Sequence, residues 1–417
     1  MKIINKTPDM LHIGMIGSGF MAKFHLQAMR GVRHAQIAGV WSPTSRHRQT
    51  FAQLVDEYDV GPCRAYSSLE EMVISSDIDA LWVVGPNYAR LENFRQIHKV
   101  IKKRKKPLLG IACEKPLART IAEAREILEL VEDAHINHGY LENQIFSPAV
   151  QRGKEIIWRR AVPISGRPYL ARAAEEHSGP HEPWFWIGHR QGGGVLSDMM
   201  CHSVEVARFL LTEPGEPRSY LRVHTANATI SSLKWSQPNY TQKLKRKMGK
   251  IVDYGKNPAE DFARATLTLK DPEGKDVIIE ATTSWAYVGP GLRIQIELLG
   301  PEYSMEFNSL NTGLKIFFSR EVQGEAGEDL VEKQNAEQGL MPVLEDESKI
   351  YGYVHENRHM VDAFRRGIKP IETFEDGLAV VEILMGLYRS GETEQTIKFP
   401  LIGLEDYVPT TARKDGR

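Results

Sequence analysis

The chain has 417 residues, and its 53 basic and 54 acidic side chains leave a formal net charge of −1. That length suits roughly two or three domains with real cores, and 41% hydrophobic with 26% charged residues is a globular composition. A disordered chain and a small disulfide-stapled one are excluded, and the near-zero charge argues against nucleic acid or an anionic membrane as the main partner.

In chain order, 11–17 is an apolar strand ending in glycine and 20–30 has helical spacing. A second strand at 36–40 precedes a helix over 46–58, with Ser45 as N-cap. Ser68 and Glu71 have the spacing of a capping box. A buried strand at 79–84 leads to a helix reaching about 104, followed by a strand at 108–113. Thr120 caps a long helix from 121 to about 134, and 136–141 forms a sixth strand. This rhythm predicts βαβ units and a doubly wound parallel sheet.

After about 143 the texture changes. Pro and Gly are frequent over 163–194, and strand-like runs at 264–269, 277–283, 292–299 and 314–318 are spaced as in an antiparallel or mixed sheet. A basic stretch at 242–250 and an acidic one at 324–347 read as solvated loops. Helical patterns return at 355–364 and 377–391. The division expected is a dinucleotide-binding domain over 1–142 and an α/β substrate domain over 143–417. Cys63, Cys113 and Cys201 are far apart and odd in number, fitting buried thiols in a reducing compartment. Residues 1–10 lack the apolar stretch of a secretory signal, and no run of about 18 apolar residues occurs, so a cytoplasmic protein is expected.

Gly17-Ser18-Gly19-Phe20-Met21-Ala22 has the form G-x-G-x-x-A between a strand and a helix. There Gly17 makes the tight turn, Gly19 admits a pyrophosphate, Ala22 permits close packing, and the helix start at Phe20 and Met21 supplies N–H donors. The second strand ends without the carboxylate that usually binds a ribose 2′-hydroxyl. Ser42 and Arg46 suit a 2′-phosphate, while Ser42 equally suits a 2′-hydroxyl, so NAD and NADP both stay open.

With Glu114-Lys115-Pro116 after a strand, Asn143 running into Phe146-Ser147-Pro148, Asp198 four residues before His202, and the 355–367 stretch, the chain resembles the Gfo/Idh/MocA oxidoreductases. The resemblance implies an N-terminal Rossmann domain and a C-terminal α/β domain with a large open mixed or antiparallel sheet. It also implies homodimer or homotetramer contacts on the sheet's outer face, and a nicotinamide near Lys115 and His202, with Glu114 and Asn143 also on the cofactor side.

Oxidising a secondary alcohol needs a base titrating near neutrality, and histidine supplies one. Asp198 and His202 share one face of a helix over 195–211, where Asp198 would orient the imidazole or a hydroxyl. Lys115 would hydrogen-bond the reacting oxygen and stabilise alkoxide charge. Gly192, Gly193 and Gly194 would let backbone crowd a ligand. His177, His181, Trp184 and Trp186 suit a sugar, whose apolar faces stack on indoles while polar groups meet hydroxyls. His177, His181, Asp198 and His202 are acceptable ligands for a divalent cation, but nothing in the sequence makes them converge, so no metal is assigned.

The function expected is hydride transfer between a ring hydroxyl of a sugar, cyclitol or glycoside and NAD or NADP. Relatives in the family that are NAD-dependent glycosidases supply an alternative: transient oxidation at ring C3, elimination, water addition and re-reduction.

Overall fold

The structure is a computed structural model that describes residues 9–249, 251–252, 254–256, 258–318 and 339–414. Its chain divides into two units, the first holding residues to 118, 122–147 and 351–378. Strands β1 (Leu11–Ile16), β2 (Ala35–Trp41), β3 (Arg64–Ala65), β4 (Ala80–Val83), β5 (Gly110–Glu114) and β6 (His138–Leu141) lie in the order β3-β2-β1-β4-β5-β6, all parallel. Parallel neighbours cannot be joined by hairpins, and helices α1 (Phe20–Met29), α2 (Ser45–Glu57), α3 (Leu69–Ile74), α4 (Asn87–Ile101) and α5 (Ile121–Asp133) follow successive strands. The strand order reverses between β1 and β4. Chains leave those two carboxyl ends in opposite directions, which opens the crevice where such sheets bind ligands.

Local chemistry explains the element ends. Ser68 Oγ accepts the Glu71 N–H at 3.1 Å while Glu71 Oε2 accepts the Ser67 N–H at 3.1 Å, so the capping box is shifted one residue on its return bond. Helix α2 is capped at Thr44 rather than Ser45, without a side-chain bond. The division at 142/143 differs from the structure, where the helix Tyr353–Arg366 belongs to the first unit. Glycines make room for it: Gly31 faces Val354, Gly139 faces Met360, and a Cβ on Gly110 would overlap the Phe364 ring.

The second unit holds 119–121, 148–350 and the chain from 379. Strands β7 (Leu170–Glu176), β8 (Arg222–Ser231), β9 (Phe262–Lys270), β10 (Asp276–Ser284), β11 (Arg293–Gly300), β12 (Tyr303–Asn308) and, past a separate antiparallel pair of β13 (Leu314–Phe318) and β14 (Gly339–Val343), β15 (Ile397–Lys398) complete it. The large sheet runs β12-β11-β7-β10-β9-β8-β15, with β7 and β10 parallel and the other pairs antiparallel, so it is mixed. Every residue of helix α6 (Val195–Leu211) is buried, and the helix packs on β7 and β10. Strand alternation puts Ala171, Ala173 and Glu175 on the buried side of β7. On the other face Arg172 pairs with Glu280 at 2.6 Å and Glu297 at 3.2 Å.

The basic stretch is not a loop: helix α7 (Pro238–Met248) covers most of it. Proline suits the first helical turn, and Leu244 and Met248, four apart, bury one stripe while the lysines face solvent. Residues 324–338 of the acidic stretch lie outside the described residues, and β14 and a short helix Glu347–Ile350 follow them. No described helix is long and apolar enough to cross a membrane.

Candidate active site

In the first unit the loop after β1 has the geometry a dinucleotide phosphate requires. Gly17 sits at φ +120°, and a Cβ there would lie 2.9 Å from the Gly85 nitrogen. A Cβ on Gly19 would meet nothing within 4 Å, so that position opens outward. Gly19 caps α1 without a side chain, and the first turn, which includes the half-buried Phe20 and Met21, carries no acidic residue. Such a helix start presents N–H groups and positive potential to an anion. Ala22 is fully buried, as close packing of α1 demands.

Gly17→Ala is expected to weaken NAD binding by at least about tenfold, since it adds left-handed strain as well as the overlap with Gly85. Fluorescence titration of the cofactor checks this, and an unchanged Kd would remove the phosphate assignment.

Ser42, buried at the end of β2, accepts the Ser18 hydroxyl at 2.9 Å and so joins the loop after β2 to the glycine loop. Arg46 is exposed on the first turn of α2. The residue that shapes this loop is Arg48, unnoticed in the sequence, whose Nη1 reaches Ser42 O at 3.2 Å and Pro43 O at 3.4 Å.

Glu114 is the last residue of β5. It is buried, with Oε1 2.7 Å from His25 Nε2 and Oε2 accepting the Lys115 N–H at 3.1 Å. Burial pushes its pKa up, but the His25 hydrogen bond and the Lys115 and Arg90 charges prevail and hold it below the usual carboxylate range. It therefore supports Lys115. Arg90 Nη2 fixes the other side of that residue by donating to Lys115 O at 3.1 Å. Asn143, on a 3-10 turn after β6, is buried and donates to Tyr351 O at 2.8 Å.

In the second unit α6 brings Asp198 and His202 to one buried face, as their spacing predicts. Asp198 Oδ2 accepts the Trp285 indole N–H at 3.2 Å. His202 Nε2 lies 4.0 Å from Glu175 Oε2, with both side chains buried. Glu175 and Trp285 are the members that sequence reasoning missed. Period-2 alternation along β7 was the available signal for Glu175, masked by an alanine- and glutamate-rich sequence with weak strand propensity.

The loop after β7 divides. His177 is buried, and its Nδ1 lies 2.9 Å from the Gly179 nitrogen and accepts that N–H, which puts a neutral ring's proton on Nε2. His181 is exposed, and Trp184 stacks on Phe185 with ring centres 3.8 Å apart. Trp186 is no sugar platform. It is 3% exposed, donates to Pro180 O at 3.1 Å, and is enclosed by Trp235, Tyr254 and Trp285.

The glycine run also has another occupant than a ligand. A Cβ on Gly193 would overlap the Tyr388 hydroxyl, and one on Gly194 the Glu260 carbonyl. Tyr388 donates to Glu260 Oε1 at 2.6 Å and accepts N–H groups of Gly194 and Ser197 at 3.0 and 3.1 Å. Glu260 Oε1 accepts those of Gly194 and Leu196 at 2.9 and 3.1 Å, so a buried pair caps α6.

A family model described as "Oxidoreductase family, NAD-binding Rossmann fold" matches residues 11–138, and one for the "GFO/IDH/MocA C-terminal domain" matches 164–306. Levoglucosan dehydrogenase of Pseudarthrobacter phenanthrenivorans is 28% identical over 215 residues, 49% of this chain and 52% of that protein. Myo-inositol 2-dehydrogenase of Thermotoga maritima is 24% identical over 206 residues, 49% of this chain and 56% of that one. The matches thus span little more than half the length of these relatives. In fold, the chain is similar to GenD2 from gentamicin A biosynthesis in complex with NAD, with a TM-score of 0.74, 21% identity, and coverage of 95% of this chain and 98% of that one. Levoglucosan dehydrogenase with NADH and levoglucosan gives a TM-score of 0.67 at 21% identity, covering 94% and 100%. With a nucleotide loop of the right geometry and both domain profiles matched in order, the chain belongs to the Gfo/Idh/MocA family of oxidoreductases and carries its NAD-binding Rossmann domain.

Proposed function

We propose that the protein is an NAD(P)-dependent dehydrogenase that oxidises a secondary ring hydroxyl of a sugar, cyclitol or glycoside, or reduces the matching ketone. The observation that carries this is the buried His202 imidazole on α6, with the Glu175 carboxylate 4.0 Å from Nε2 and Asp198 one turn away. A bound nicotinamide supplies a two-electron hydride acceptor. His202 takes the hydroxyl proton, and Glu175 stabilises the imidazolium that results. Asp198, oriented by the Trp285 indole, holds the imidazole or a neighbouring substrate hydroxyl. The Lys115 ammonium, on a backbone fixed by Glu114 and Arg90, hydrogen-bonds the reacting oxygen and stabilises its developing negative charge. Gly17, Gly19 and the start of α1 hold the pyrophosphate, and Ser42 meets the ribose. His177, His181 and Trp184 remain the substrate-contacting candidates.

Relatives named as levoglucosan, myo-inositol and D-xylose dehydrogenases favour net redox over net hydrolysis. The test is mass spectrometry on a panel of pyranosides and inositols, each incubated with the protein and excess NAD or NADP. A product two mass units lighter, matched by equal reduced cofactor, is expected. Free sugar plus aglycone with no net cofactor reduction would replace this reading by the redox-cycling glycosidase.

A further inference from the structure

Four buried polar side chains in the first unit form a line that ends on the Lys115 backbone. An indole N–H can only donate, so the Trp82 contact at 2.9 Å identifies the accepting atom of Asn357 as Oδ1. Its Nδ2 is then the donor, reaching Tyr353 O at 2.8 Å and His25 Nδ1 at 3.0 Å, nearer that nitrogen than Oδ1 at 3.3 Å. With Nδ1 accepting, the proton of a neutral His25 ring lies on Nε2, which points at Glu114 Oε1 at 2.7 Å. Glu114 Oε2 receives the Lys115 N–H at 3.1 Å. Every donor in the line faces an acceptor, and one donor-only group at the far end sets the direction of them all.

We propose that His25 and Asn357 are positioning residues for Lys115, acting through Glu114. This rests on the reading of Lys115 as the group that meets the reacting oxygen. The line joins β4, the helix Tyr353–Arg366, α1 and the end of β5, so it references the lysine to the core of its unit. His25 is fully buried, where an apolar ring of similar size would fill the space without desolvating polar atoms. Electrostatics supports the assignment. Glu356, beside Asn357 on the same helix, is fully buried, and burial together with Glu114, Glu142 and Glu372 pushes it well above the usual carboxylate range. Its charged form is thus disfavoured, whereas the Glu114 carboxyl beside Lys115 is held below the usual range.

The test compares His25→Phe, which keeps an aromatic ring and breaks the line, with His25→Gln, whose amide can still donate to Glu114. Competitive acetylation with trace acetic anhydride, read by mass spectrometry on the full chain without substrate or cofactor, reports Lys115 against the exposed Lys102 and Lys105. In His25→Phe the relative rate at Lys115 is expected to change at least about fivefold, and kcat to fall about 30-fold with the cofactor KM within about twofold. His25→Gln should restore both to within about threefold. Should His25→Phe fail to fold, Trp82→Phe removes the N–H that orients Asn357, along with part of the buried indole, and the same direction of change is expected. Unaltered Lys115 acetylation in the line-breaking variant overturns the proposal, whatever the substrate. Altered acetylation in a protein that reduces no cofactor with any panel member keeps the positioning role and overturns the dehydrogenase reading instead.

Discussion

His202→Asn is expected to lower kcat about 1,000-fold, and Lys115→Met about 100-fold or more, while each leaves the cofactor KM within about threefold. The difference between the two comes from their proposed roles. Without His202 the hydroxyl proton must leave to water, and the Glu175 carboxylate faces no imidazolium. Without Lys115 the proton acceptor remains and only stabilisation of the oxygen's charge is lost. Glu175→Gln separates these effects further. It retains a hydrogen-bonding side chain but no charge, so the acid limb of the pH–kcat profile should move to lower pH as the imidazolium loses its partner, with a milder fall in kcat near neutrality. The double variant of His202 and Lys115 should cost less than the product of the single losses, as expected of two groups proposed to serve one reaction step. Steady-state kinetics on the substrate found by the panel, with cofactor titration as the binding control, measures all four. Retention of more than about a third of kcat in either single variant would remove that residue from the chemistry.

Much of the first unit was legible because its signals are local. Apolar runs separated by helical periodicity identify parallel strands from neighbours in the chain, and Gly17 through Ala22 needs only its flanking strand and helix. What stayed hidden was long-range. Nothing near residue 353 says that its helix will fill the gaps over Gly31, Gly110 and Gly139. The same distance concealed the link between His25 and Asn357, 332 positions apart.

In the second unit α6 was legible over 195–211, and Asp198 and His202 with it. The sheet beside it was harder to see. Strand β7, LARAAEE, carries no β-branched residue and draws its stability from β10 and β11 on either side. With β7 unseen, Glu175 had no face to be assigned to. Trp186 erred in the opposite direction: an aromatic cluster next to histidines reads as a sugar platform, yet three other aromatic rings enclose this one. Composition marks stacking capacity without saying whether the partner is a ligand or the core.

Glu260 gives the second large effect, on stability rather than turnover. Its carboxyl receives two N–H groups at the start of α6 and the Tyr388 hydroxyl, all of which favour the ionised form. Burial outweighs them and raises its pKa from the ordinary 4.5 to about 7. The native state therefore holds a proton there between these two values, and the unfolded chain releases it. Stability contributed by this group is fully present below about pH 4.5, declines as pH rises, and is lost above about 7. The total is roughly 3 kcal/mol. Glu260→Gln cannot ionise yet retains an oxygen for the same donors, so its advantage over the parent should grow from near zero at about pH 4 to roughly 3 kcal/mol at about pH 9. Neighbouring Tyr254 and Tyr388 are both held well above the ordinary tyrosine range by burial and by the nearby carboxylates, so they stay neutral across this interval. Urea unfolding followed by tryptophan fluorescence is the measurement, since Trp158, Trp184, Trp186, Trp235 and Trp285 of the seven tryptophans lie in the unit concerned. Parallel stability curves for the two proteins over this range would show that Glu260 is ionised in the folded state. The helix carrying His202 would then start on a buried carboxylate charge that Tyr388 and the backbone N–H groups satisfy unaided.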